Sequence, residues 1–169
     1  MKRILIAATA LAAMAATHAS AADEATLKRG EYLVTIMSCT DCHTPGNFGP
    51  SPDMEHKLGG ASVGFFIPGL GYFYGPNLTP DDETGLGKWS EQEIVTALRE
   101  GVRPDGRVLA PIMPWTAFAS LTDEDAFAIA AYLKSLPAYE HAVPGPQGPD
   151  AAPPAPYQAV VLPDGTIIR

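Results

Sequence analysis

Cys39-Thr40-Asp41-Cys42-His43 decides how the rest of the chain is read. These residues hold the only two cysteines of a 169-residue sequence, three positions apart, with a histidine directly after the second. The spacing is the attachment signature of a c-type haem. Each thiol adds to one vinyl group of the porphyrin, and two intervening residues let a single helical turn reach both vinyls from one side. His43 then lies beneath the ring with its imidazole directed at the iron. Two other readings of a Cys-x-x-Cys pair fit less well. A zinc site needs further thiolate or imidazole ligands at short spacing, and the sequence has no second cluster of that kind. A thioredoxin-like dithiol leaves His43 without a role, and Thr44-Pro45-Gly46 is a poor strand-to-helix entry.

The beginning of the sequence agrees with haem attachment outside the cytoplasm. Lys2-Arg3, an apolar run from Ile4 to Ala16, and Ala19-Ser20-Ala21 have the layout of a cleaved secretory leader over residues 1–21. The run is shorter than the roughly 20 residues that a membrane-spanning helix needs, so the expected mature chain has no transmembrane segment and a periplasmic location. Its net charge is −8 with the leader and −10 without Lys2 and Arg3, before any haem propionate is counted. An acidic chain of this kind does not bind nucleic acid by neutralising phosphates, and it is steered towards basic partner surfaces.

Glu24 to Ser38 reads as a first helix on the stripe Leu27, Tyr32, Leu33 and Ile36 or Met37. Gly30 in its middle is costly by about 1 kcal/mol relative to alanine, so something must approach closely there. Residues 44–88 are rich in glycine and proline. Within them, Val63–Ile67 and Tyr72–Tyr74 flank a Pro68-Gly69 turn and predict a small β-hairpin. Asp81-Asp82-Glu83 lacks the spacing of a calcium loop and reads as a solvated turn. Ser90 and Glu93 form a capping box for a helix that Gly101 ends. A last helix runs from Thr122 to about Leu136, with Phe127, Ala130, Ala131 and Leu133 to Leu136 on its buried side. The tail, 138–169, carries six prolines between Pro144 and Pro156 and reads as an extended, semi-rigid segment without chemistry. Tyr157–Leu162 and Thr166–Arg169 predict a terminal hairpin about Pro163-Asp164-Gly165.

The second axial position of the iron separates electron carriers from catalysts. Met37, Met54, Met113, His56 and His141 are the candidates. Met37 precedes the haem motif and belongs to the core, Met54 and His56 lie in a charged surface stretch, and His141 borders the tail. Met113 stands between prolines that forbid helix, in an apolar loop, where its thioether can be held over the opposite face of the ring. Ordinary core filling is the competing role for it.

From Leu27 to Leu136 the sequence resembles the class I c-type cytochromes. It is especially similar to the haem domains in the cytochrome subunits of bacterial alcohol, aldehyde and gluconate dehydrogenases. The matching stretches are R-G-E-Y-L, C-T-D-C-H-T, G-P-N-L-T-P-D, T-G-L-G-K-W-S, M-P-W-T-A-F and L-T-D-E-D-A-F-A-I-A-A-Y-L-K-S-L-P. The resemblance implies a mainly α class I cytochrome c fold over residues 22–137, three to four helices around one covalent haem c, with the β-hairpin as an insertion. It implies that Gly30 and Tyr32 pack on Tyr132 and Leu133, and that His43 and Met113 ligate the iron. It also implies that the Pro76 carbonyl accepts from Nδ1–H of His43, and that Trp89 and Asn77 lie near a haem propionate. Those dehydrogenase subunits typically carry three haems and a membrane anchor, whereas this sequence has a single Cys-x-x-Cys-His.

The expected function is therefore one-electron transfer without catalysis, from a dehydrogenase donor to another cytochrome or a terminal oxidase. One alternative is a haem enzyme or gas sensor with an open distal iron site, and another is a non-catalytic cytochrome subunit whose tail locks it onto a dehydrogenase. No distal His–Arg arrangement supports peroxidase chemistry.

Overall fold

The computed structural model of the chain describes residues 16–168. The leader expected over 1–21 lies, through residue 15, outside the described residues. Five helices and three strands follow in the order α1 (Ala16–Ile36), α2 (Cys39–His43), β1 (Gly64–Ile67), β2 (Gly71–Phe73), α3 (Glu91–Glu100), α4 (Trp115–Phe118), α5 (Asp123–Ser135) and β3 (Tyr157–Gln158). The resemblance implied three to four helices. The count rises because α2 and α4 are single turns, of five and four residues.

The long helix α1 starts earlier than its apolar pattern predicts. An alanine-rich stretch free of glycine and proline precedes Glu24, and such residues favour helix without any packing. The helix stops where Ser38 takes a left-handed conformation, φ 56° and ψ 31°, which turns the chain before α2 begins. α1 packs chiefly on α5, and the contact is made on small residues. A Cβ placed on Gly30 would run into the Ala128 carbonyl and stand 2.6 Å from Tyr132 Cβ, which accounts for the glycine. Arg29 fastens the crossing with two bonds to the Asp125 carboxylate, 2.8 and 3.2 Å.

Because the helices meet at Gly30, the buried face of α1 is Gly30, Leu33 and Val34. Tyr32 and Ile36 are more than half exposed, and Tyr32 lies under the Arg29 guanidinium instead of on Tyr132. On α5, Phe127 faces outward, and Ala126, Ile129, Ala130 and Leu133 enter the core. The helices α3 and α5 have the predicted caps. Ser90 and Glu93 complete a capping box, Gly101 ends α3 with φ 71°, and Thr122 accepts from the Asp125 amide.

The hairpin is present, with Phe65 opposite Phe73 and Ile67 opposite Gly71. It is not a two-stranded insertion. β3 joins β1 in parallel, Gly64 pairing with Tyr157, so the sheet order is β2-β1-β3. Tyr72 adds a bridge to Gln147, and the Tyr74 hydroxyl donates to the Ala155 carbonyl at 2.7 Å. Phe66, Tyr72 and Tyr74 form a second small core with Val143, Ala155, Tyr157 and Ala159. The proline-rich tail is thus extended but packed on the hairpin, and of the roles open to an extended segment it takes that of wrapping the domain. An isolated hairpin is marginal in water, and a third strand with an aromatic face supplies what this one lacks. Beyond β3 the terminal turn forms as predicted, Val161 bridging to Ile167.

Candidate haem site

The turn α2 sets Cys39, Cys42 and His43 on the wall of one cavity of about 630 Å³, a size typical of cofactor sites. Leu98, Ile129 and Leu133 line it from the helices, and Phe65 and Phe73 from the hairpin. Met113 and Trp89 line it too, so the predicted motif, distal methionine and tryptophan converge on one space. Met37 packs against the core and Met54 is exposed.

The His43 ring is buried, and its Nδ1 lies 2.8 Å from the carbonyl oxygen of Pro76. A carbonyl only accepts, so Nδ1 carries the proton and Nε2 keeps the lone pair. Burial pulls the imidazole below its ordinary value, which keeps it neutral, the form that ligates a metal. Its main chain is fixed as well, because Gly60 N donates to the His43 carbonyl at 2.7 Å. As free thiols, Cys39 is pushed up to about 11 by burial, and Cys42 is raised by burial and then by Asp41. Both are protonated at neutral pH in the folded cavity, unlike the thiolates of a redox-active dithiol.

Met113 is half-buried between Pro111 and Pro114. Its amide donates to Ala110 and its carbonyl accepts from Trp115, 3.0 and 2.8 Å, so the loop is fixed on both sides of the thioether. Trp115 in turn lies over Gly101 at the end of α3.

Asn77 is fully buried and lines the cavity, and its side-chain amide is bonded within the protein. Nδ2 donates to Thr84 Oγ1 and to the Tyr139 carbonyl, and Oδ1 accepts from both the amide and the hydroxyl of Thr79.

Two arginines bring positive charge to the cavity. Arg103 and Arg107 line the cavity, brought to one side because Arg103 N bonds the Arg107 carbonyl across the Pro104-Asp105-Gly106 turn. The Arg103 guanidinium stands 4.9 Å over the Trp89 ring and 3.4 Å from Asp105 Oδ2. Burial, then Arg103, lower Arg107 from its ordinary value, although it remains a cation. The signal in the sequence was a pair of arginines flanking a tight turn in an acidic chain. The remaining unpredicted wall is Val143–Pro146, from the tail.

The residues present fit a c-type haem. A mainly apolar, cofactor-sized cavity holds two thiols side by side, a neutral imidazole with one free nitrogen, a thioether and two cations suited to propionates. Among the described residues no three histidine, cysteine, aspartate or glutamate side chains stand together to hold a metal ion. Among the same residues no helix is long and apolar enough to cross a membrane.

The family model for cytochrome c matches residues 27–137. Similar proteins include the cytochrome c subunit of a quinone-dependent alcohol dehydrogenase from Gluconobacter oxydans, 38% identical over 69% of this chain and 23% of that protein. The fructose dehydrogenase cytochrome subunit of Gluconobacter japonicus is 34% identical over 68% of this chain and 22% of its own length. The gluconate 2-dehydrogenase cytochrome c subunit of Pantoea cypripedii is 35% identical over 78% and 28%. The chain thus spans less than a third of the length of each of these relatives.

Proposed function

This chain belongs to the cytochrome c family, and from that premise we propose that it is a periplasmic one-electron carrier holding a single covalent haem c. It takes electrons from a dehydrogenase and passes them to another cytochrome or a terminal oxidase. The observation that carries this reading is the convergence of Cys39, Cys42, His43 and Met113 on one cavity.

In this reading Cys39 and Cys42 would tether the cofactor through thioethers, and His43 Nε2 and Met113 Sδ would hold its iron. The bound group supplies an iron that cycles between the ferrous and ferric states. The protein does the rest. The Pro76 carbonyl holds the His43 tautomer and ring plane and raises the basicity of the imidazole. Met113, a poor donor to ferric iron, favours the reduced state, and the apolar walls exclude water and act in the same direction. Arg103, Arg107 and the indole of Trp89 receive the propionates. Were His43 and Met113 both to hold the iron, no position would be left for a substrate, which suits electron transfer and not substrate oxidation. The relatives named as cytochrome subunits of dehydrogenases support a dehydrogenase as donor. The net charge of −8 favours brief encounters with a basic partner face.

The test is the optical spectrum of the purified protein and of Met113→Ala, with carbon monoxide added to the reduced forms. The wild type is expected to show the weak long-wavelength sulfur-to-iron band and to ignore the gas, while the variant loses the band and binds it. A wild type that lacks the band and binds carbon monoxide would move the reading to a gas sensor or haem enzyme.

A further inference from the structure

We infer that residues 139–147, which lie beyond the family match, form one wall of the haem cavity and brace the His43–Pro76 contact, with Tyr139 and His141 as positioning residues for the proximal imidazole. That this imidazole ligates iron rests on the electron-carrier reading above; the bracing contacts do not depend on it.

Both attachments of His43 lead to this segment. The Pro76 carbonyl that accepts from the ring belongs to the peptide linking Pro76 to Asn77. Asn77, buried and fully bonded, ties that peptide to the Tyr139 carbonyl at 2.7 Å. On the main-chain side, Gly60 N donates to the His43 carbonyl, and the neighbouring Gly59 carbonyl accepts from His141 Nδ1 at 2.7 Å. His141 N also donates to Thr84 Oγ1, the hydroxyl that receives Asn77 Nδ2. The two supports therefore share partners and move together.

The loop after the haem motif is shaped for the segment. Gly60 sits at φ +103°, and a Cβ on it would enter the Val143 side chain. A Cβ on Gly59 would stand 2.6 Å from the Tyr139 ring. That ring stacks on His56 at 4.0 Å, and His56 is held by Asp53. From there Val143–Pro146 line the cavity, and Gln147 exchanges two main-chain bonds with Tyr72, 2.9 and 3.0 Å. A carbonyl that accepts from a ligating imidazole tunes it only while it stays in place. Here a segment beyond the family match keeps it there, by limiting local opening of the 59–60 and 76–77 peptides.

The experiment follows hydrogen exchange of the His43 Nδ1–H by NMR in the haem-loaded, reduced full chain, together with the midpoint potential. His141→Ala is expected to exchange about tenfold faster than wild type, the effect of losing one hydrogen bond from a local opening equilibrium, and Tyr139→Ala, which keeps the main-chain carbonyl bonded to Asn77 but loses the ring stacked on His56, is expected to exchange several-fold faster. Their potentials shift with it. His141→Asn, whose Nδ2 can stand in for the imidazole Nδ1, is expected to remain within about twofold of wild type, as is Arg29→Ala, which loosens the distant α1–α5 crossing. Wild-type exchange and potential in the haem-loaded Tyr139→Ala and His141→Ala proteins would overturn the bracing and leave the electron-carrier reading standing. A wild-type protein without covalent haem would overturn the electron-carrier reading and not the bracing contacts.

Discussion

Lys134 Nζ donates to the carbonyl oxygen of Trp89 at 2.9 Å, reaching from the last turn of α5 to the residue that lines the cavity just before α3. The same ammonium holds the carbonyls of Leu86 and Gly87, 3.1 and 2.7 Å. One cation thus shapes the 86–89 loop, and its place at a helix C-terminus adds a favourable dipole. Lys134→Met keeps the aliphatic stem but leaves three carbonyls without their donor. It is expected to cost roughly 1–3 kcal/mol, read from urea unfolding followed by circular dichroism.

Gly30→Ala tests the helix crossing. Alanine is the better helix former by about 0.5–1 kcal/mol, but its methyl group would meet the Ala128 carbonyl, which belongs to a helix backbone and cannot rotate away. Overpacking of this kind costs about 1–3 kcal/mol, so the clash outweighs the propensity. A lower melting temperature is expected, while an unchanged or higher one would show that the crossing relaxes freely.

The cations at the cavity should act on the potential. A positive charge near the haem disfavours the ferric state, so Arg103→Gln and Arg107→Gln are each expected to lower the midpoint by on the order of tens of millivolts in a redox titration. Asp105, paired with Arg103, acts with the opposite sign. Asp105→Asn should raise the midpoint.

Acid stability has a local contribution at Asp81. Its carboxylate accepts from the Thr84 hydroxyl, the Thr84 amide and the Glu83 amide, and these bonds hold its pKa below the ordinary value of 3.8. A group depressed on folding stabilises the native state above its unfolded pKa and loses that effect as pH falls through the folded one. The stability of the wild type should therefore decline below about pH 4, and Asp81→Asn should be less stable at neutral pH with a flatter acid limb. Equilibrium unfolding at several pH values measures both.

Local chemistry was legible from spacing alone, whereas long-range contacts such as Gly30 on Tyr132 and His43 on Pro76 were legible only through the family resemblance. The Cys-x-x-Cys-His turn, the Ser90–Glu93 capping box, the Thr122 cap and the 64–73 hairpin all rest on residues a few positions apart, where spacing dictates geometry. Periodicity misplaced Tyr32, Ile36 and Phe127, because the α1–α5 contact is centred on Gly30 and alanines, to which an apolar stripe gives no weight. Asn77 illustrates a second limit. A buried amide takes whichever partners the tertiary structure offers, and its partner Tyr139 lies in a part of the chain that the family resemblance does not reach. The parallel union of β1 with β3 left no trace in the alternation of either strand, and the prolines around β3 argued for an extended spacer.

The pairing of Gly64 with Tyr157 also imposes an order in time. A chain that emerges N-terminus first displays its cysteine turn before the strand that completes the sheet. During that interval the cavity has no tail-side wall. In the exported chain proposed above, the cysteine turn is thus open on its tail side until the last strand docks.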